Sequence, residues 1–113
     1  MSRYKLYLND ILRAIKLIEI STKGKNLEKF KSNKDLIDAN AMRLQIIGES
    51  IRKLPSQIRN KYNKVEWKDY LKTRNIISHA YFAVNPEILW SIIKKKIPKL
   101  KIEILKILKN EDY

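Results

Sequence analysis

The stretch "RNIISHAYF", residues 74–82, gathers Arg74, Asn75, Ser78, His79 and Tyr81 within eight positions, and His79 is the only histidine of the chain. A histidine titrates near pH ~6.5, so it can both take and give a proton at neutral pH. An arginine is permanently charged, and its planar fork meets a phosphate through two N–H donors. Together they suit cleavage of RNA without a metal. The histidine would deprotonate a ribose 2′-hydroxyl, and the guanidinium would stabilise charge on the attacked phosphate. The products would be a 2′,3′-cyclic phosphate and a 5′-hydroxyl. Asn75 and Ser78 are candidate supporting polar groups. A phenol of pKa ~10 is not an obvious catalyst at pH 7, so Tyr81 needs another reason. A plainer reading stands beside this one. The histidine would cap a helix end and favour its dipole, the arginine would pair with Glu49, Glu66 or Asp69, and the tyrosine would pack in the core. A lone histidine without a carboxylate at ligand spacing is a poor metal site, so neither metal nor cofactor is expected.

Those residues have to be carried by helices. Only two glycines and three prolines interrupt the chain, and no strand-like alternation is sustained. Tyr4, Leu8, Ile11, Ile15 and Ile18 lie on one stripe and predict a first helix over about residues 3–21. The segment "TKGKNLEKFKSN" reads as a loop, with Gly24 at the helix stop. Ser32 or Asn33 caps a second helix, with the stripe Leu36, Asn40, Leu44, Ile47, Ile51, Leu54. Gly48 inside it costs roughly 1 kcal/mol against alanine, which points to a close approach by another backbone. A short helical turn and loop follow Pro55. A third helix runs from about Glu66 to His79. Asn85 and Pro86 open a fourth, running towards Lys109 and kinked at Pro98. The expected architecture is all-α, a bundle of four main helices in one domain over residues 1–113. On an ideal helix Asn75 and His79 are about 40° apart, whereas Arg74 and His79 are about 140° apart. The last two meet only if the helix ends near His79 or a second copy of the chain supplies half of the site.

Composition bounds the rest. The chain has 113 residues, 25 Lys and Arg against 12 Asp and Glu, a net charge of +13 and no cysteine. Disulfides and thiolate metal sites are excluded. A surface this basic attracts polyanions, although Lys, Ile and Asn are also what an AT-rich genome favours. No apolar run approaches the ~20 residues of a membrane span, and "MSRYKLYLNDIL" lacks the apolar core of a signal peptide. A cytoplasmic protein with no membrane partner is expected.

The form Arg, four residues, His, one residue, Tyr resembles the HEPN superfamily and, within it, the HepT-like toxins. "NAMRLQIIGESIRKLP", residues 40–55, is similar to that family's second-helix signature. Trp67, the "YF" after the histidine and "NPEILWSIIKKKIPKL", residues 85–100, also fall where the family has similar residues. Two departures are mild: Ala80 stands where glycine is common, and Gln45 where many relatives carry glutamate. The resemblance implies a HEPN-type bundle of four main helices with a short fifth possible, forming a homodimer around a shared cleft. It implies the endoribonuclease toxin of a type VII-like toxin–antitoxin pair, with RNA as substrate and a cognate minimal nucleotidyltransferase antitoxin (MntA-like) as partner. Arg74 and His79 would be the catalytic pair, Asn75 a polar helper, and Tyr81 the tyrosine that the antitoxin adenylylates. Lys94, Lys95, Lys96, Lys99 and Lys101 would guide RNA or meet the antitoxin. The alternative is a non-catalytic HEPN module that binds RNA or nucleotide and docks a nucleotidyltransferase.

Overall fold

The computed structural model describes residues 3–79 and 85–111, the side chains of 76–79 excepted. Seven helices are present among them: α1 (Tyr4–Thr22), α2 (Leu27–Lys31), α3 (Lys34–Arg52), α4 (Ser56–Lys61), α5 (Trp67–His79), α6 (Pro86–Lys95) and α7 (Ile97–Asn110). Helix α3 lies at the centre and packs against α1 on one side and α5 on the other. Helix α7 covers α1, and α6 bridges α7, α2 and α3. The 3.6-residue stripes of the sequence become the core. Leu8, Ile11, Ile15 and Ile18 of α1 meet Leu44, Ile47 and Ile51 of α3 and Leu100, Ile104 and Ile107 of α7, all at most 3% exposed. Each such side chain contributes roughly 1.5–3 kcal/mol by leaving water.

Helix starts follow the local signals. Asn33 Oδ1 accepts from the backbone N–H of Leu36 at 3.1 Å. Asn85 Oδ1 accepts from those of Glu87 and Ile88 at 2.8 and 3.2 Å, with Pro86 at the first position of α6. Caps of this kind are typically worth about 1 kcal/mol. After α1 the chain turns through Gly24 at φ +72°, a left-handed conformation open to glycine without strain.

Two segments depart from the sequence expectation. The stretch read as a loop before α3 contains the five-residue α2, started by Asn26 Oδ1 accepting from Lys29 N–H at 2.9 Å. Fully buried Phe30 holds it against Trp90, ring centroids 5.1 Å apart. The expected kinked fourth helix is divided into α6 and α7 at Lys96. Pro98 has no N–H to give to the turn before it. Tyr70 Oη donates to the Lys96 carbonyl at 3.1 Å, and Lys96 Nζ reaches Asp69 at 3.0 Å. The break is therefore tied to α5. At the far end, buried Glu111 accepts from Lys61 Nζ and Tyr62 Oη, each at 2.7 Å, fastening α7 to α4.

Candidate active site

Helix α5 carries the candidate residues, and α3 is shaped to receive one of them. A Cβ on Gly48 would lie 2.4 Å from Arg74 Cβ and 3.1 Å from Arg74 Cγ. The missing side chain is what lets Arg74 cross α3 there. The close approach expected from the sequence is present, and its partner is the root of the Arg74 side chain. Glu49, the next residue, accepts from Arg74 Nε. Arg52, one turn further on, donates to Glu49 Oε2 through NH2 at 3.2 Å and through Nε at 3.4 Å. Arg74 NH1 donates to Asn75 Oδ1 at 3.0 Å. Of the three carboxylates the sequence offers as partners, Glu49 is the one that pairs with Arg74.

These contacts orient the guanidinium and leave it able to act. Two of its five N–H groups serve Glu49 and Asn75. The remainder, on NH1 and NH2, belong to a side chain 30% exposed. Burial pushes the Glu49 carboxyl up, but hydrogen bonds from Arg52 and Arg74, together with their charges, outweigh it and hold the group below its ordinary 4.5. Glu49 is thus an anion at neutral pH. It holds Arg74 through Nε, which leaves terminal N–H groups of a partly exposed side chain for a phosphate.

The other candidates are placed as follows. Ser78 and His79 are the last two residues of α5, five residues or about 7.5 Å of rise beyond Arg74 for His79. With α5 helical through His79, the registers of Arg74 and His79 are about 140° apart, and those of Asn75 and His79 about 40°. The side chains of Ser78 and His79, and all of Tyr81, lie outside the described residues. Within the described part the structure unites Arg74 with Asn75, and adds Gly48, Glu49 and Arg52. The sequence offers Glu49 only as one of three possible ion-pair partners of the arginine. The adjacent Gly48 and Glu49, with Arg52 at i+3 from Glu49, were the available signal.

Beside this network α3 exposes apolar surface. Met42 is 58% and Ile46 42% exposed, and their registers fall within about 60° of Glu49. The lysines expected to guide RNA have mixed fates. Lys96 pairs with Asp69 and Lys101 with Glu19, each at 3.0 Å, while Lys94 sits 4.8 Å over the Trp90 ring. Lys95 and Lys99 are exposed. Among the described residues no cluster of three or more His, Cys, Asp or Glu side chains could hold a metal, and no helix is long and apolar enough to cross a membrane.

Comparison with known proteins gives three further findings. A family model described as "Ribonuclease HepT-like" matches residues 11–107. The chain is 47% identical over 108 residues to a Methanocaldococcus jannaschii protein named "Gamma-glutamylcyclotransferase and putative RNase", covering 96% of this chain and 49% of that one. It is 37% identical over 105 residues to a "Putative RNase" of Caldanaerobacter subterraneus, covering 93% of this chain and 94% of the relative. It is 36% identical over 98 residues to "Probable ribonuclease HepT" of Thermococcus cleftensis, covering 87% of this chain and 89% of the relative. The chain thus spans about half the length of the first and most of the other two. No solved structure shows a significant match.

Proposed function

The chain belongs to the HepT-like ribonuclease family, and on that premise we propose that it is a metal-independent endoribonuclease toxin in which Arg74 and His79 do the chemistry. His79 takes the proton of a ribose 2′-hydroxyl, which attacks the adjacent phosphorus. Arg74 binds the phosphate through its terminal nitrogens and stabilises the charge that builds on it. The 5′-oxygen of the next nucleotide leaves with a proton, giving a 2′,3′-cyclic phosphate and a 5′-hydroxyl. Asn75 and Ser78 support the pair. The observation that carries this reading is the presentation of Arg74. Its Nε is held by an anionic Glu49, and its outer donors are on a partly exposed side chain.

A second copy of the chain completes the site in this proposal. The ~140° between the registers of Arg74 and His79 separates them on one helix. The exposed Met42 and Ile46 offer apolar surface on the α3 face that also carries Glu49. Two facing copies give two histidines, so proton acceptor and donor need not be the same residue. A cognate minimal nucleotidyltransferase is the proposed antitoxin. It transfers AMP from ATP to the Tyr81 oxygen, with pyrophosphate and the phenol proton released, adding a negative charge that competes for Arg74 and a nucleoside that fills the cleft.

The test is end-group analysis of RNA cut in EDTA, with light scattering of the same sample. Cyclic phosphate and 5′-hydroxyl ends from a species of twice the monomer mass are expected. Ends bearing 5′-phosphate, or loss of cleavage in EDTA, would contradict the chemistry, and a strict monomer would contradict the composite site.

A further inference from the structure

Helix α5 has a second face, which Arg74 does not occupy and which leads to His79. Residues 68, 72, 75 and 79 fall within about 60° of one another at 100° per residue. Lys68, Lys72 and Asn75 on that stripe are all exposed, and it ends at the register of His79. From residue 68 to residue 79 it is about 16 Å long. At its start lies a groove of about 530 Å³ between α4 and the beginning of α5, lined by Ser56, Arg59, Asn60, Asn63 and Lys68 among others. That volume is in the range that accepts a nucleotide-sized ligand.

The groove contains an arginine without a match. The Nε of Arg59 is buried and has no hydrogen-bond partner, and among the described residues neither Arg59 nor Lys68 forms an ion pair. A buried donor left unpaired costs about 1–3 kcal/mol, and Arg59 as a whole is only half-buried, so its side chain relieves that cost by turning to an acceptor placed in the groove. The two carboxylates at the groove do not supply it. Asp69 is engaged by Lys96 at 3.0 Å, and exposed Glu66 forms no ion pair with Arg59. Ser56, Asn60 and Asn63 add neutral donors and acceptors of the kind that meet sugar and base edges.

We propose that this groove and stripe form a track for single-stranded RNA, with Arg59, Lys68 and Lys72 on successive phosphates and one nucleotide seated between α4 and α5. The track leads the strand along α5 to Asn75 and the cleavage point. It rests on the nuclease reading above and deepens it: the substrate is recognised over several nucleotides to one side of the cut, through its backbone.

Binding and cleavage separate the two claims. Binding is measured with a 2′-O-methyl oligoribonucleotide, which lacks the attacking hydroxyl, across a series of salt concentrations. Each lost phosphate contact lowers the salt slope by about 0.7 for a single strand. The triple variant Arg59→Gln, Lys68→Gln, Lys72→Gln should therefore lower it by about 2. The surface pair Lys68→Gln, Lys72→Gln should lower it by about 1.4, which covers the case in which Arg59 is needed for folding. A charge-matched control, Lys16→Gln, Lys23→Gln, Lys29→Gln, changes exposed residues on the far side of α3 and should leave the slope near that of the parent. In cleavage, the surface pair should raise KM for an oligonucleotide about tenfold or more with kcat retained. Its kcat/KM on a dinucleotide, which spans only the cut, should fall far less than that on the oligonucleotide. An unchanged slope in the surface pair, or an equal fall in the control, would overturn the track. A parent protein that binds with the expected slope but cuts neither substrate would instead overturn the nuclease reading.

Discussion

Substituting Gly48→Ala tests whether α3 is shaped around Arg74. In an exposed helix this change stabilises, by about 1 kcal/mol. Here the new Cβ would sit 2.4 Å from Arg74 Cβ, where ordinary contact begins at 3.4 Å. Arg74 Cβ is anchored to its backbone and cannot swing away, so α3 and α5 must part by about 1 Å. Overpacking of this kind costs about 1–3 kcal/mol. Set against the propensity gain, the net loss is up to about 2 kcal/mol, or a fall in Tm of up to about 8 °C for a chain of this size. The functional effect should be larger. Displacement of a positioned group by 1 Å can lower the rate on the order of 10²-fold. Thermal melts followed by circular dichroism, run beside RNA cleavage, read both. Gly24→Ala is the control. It strains a residue at φ +72° with nothing within 4 Å of the new Cβ, so it should lower Tm without lowering the rate. If Gly48→Ala raises Tm by about 4 °C and cleaves at the parental rate, the reasoning about the α3–α5 crossing is wrong.

Glu49→Gln should reduce kcat/KM about 10- to 100-fold with little change in Tm, because a partly exposed ion pair is worth only about 0–1 kcal/mol while Arg74 loses its anchor; a parental rate would show that Glu49 does not position Arg74. Thermal stability should fall in acid. The carboxyls of Glu111, held down by hydrogen bonds from Lys61 and Tyr62, and of Glu49 both have folded-state values below 4.5. What they contribute is present above that value and lost as pH drops through the folded one. Glu111→Gln should flatten this acid limb. At the other extreme, burial and then the nearby Glu66, Asp69 and Glu103 raise the Tyr70 phenol from 10 to about 12. Its contribution is intact below pH 10 and lost as pH rises towards 12, a limb that Tyr70→Phe should remove. Incubation with the partner nucleotidyltransferase and ATP should raise the mass of the protein by AMP units, and Tyr81→Phe should block the addition; an equally modified Phe variant would move the switch elsewhere.

Local signals were the legible part of the fold. Asn33, Asn85 and Pro86 act within three residues of themselves, so their helix starts could be read directly. The stripes of α1, α3 and α7 needed only the helical period. What was not legible depends on distant partners. The five residues of α2 are too few to be stable by propensity, and they form because Phe30 is buried against Trp90, sixty positions away. The break at Lys96 was foreshadowed by Pro98, but its place is set by Tyr70 and Asp69 of another helix. At the site, the spacing of Arg74, Asn75 and His79 and the oddity of Gly48 were visible. The choice of Glu49 over Glu66 or Asp69 was not, since it follows from how α3 crosses α5. The groove at Arg59 depends on the turn between α4 and α5, which no periodicity encodes.

The central claim is that His79 performs proton transfer in a metal-independent RNA cleavage with Arg74. The most direct test is kcat/KM on one defined oligoribonucleotide in EDTA, for the parent and His79→Ala. Both should show the same helical circular dichroism. The variant should be slower by about 10²–10⁴-fold, the loss expected for one general acid–base group and equal to roughly 3–5 kcal/mol of barrier. Cleavage by His79→Ala at the parental rate would contradict the account.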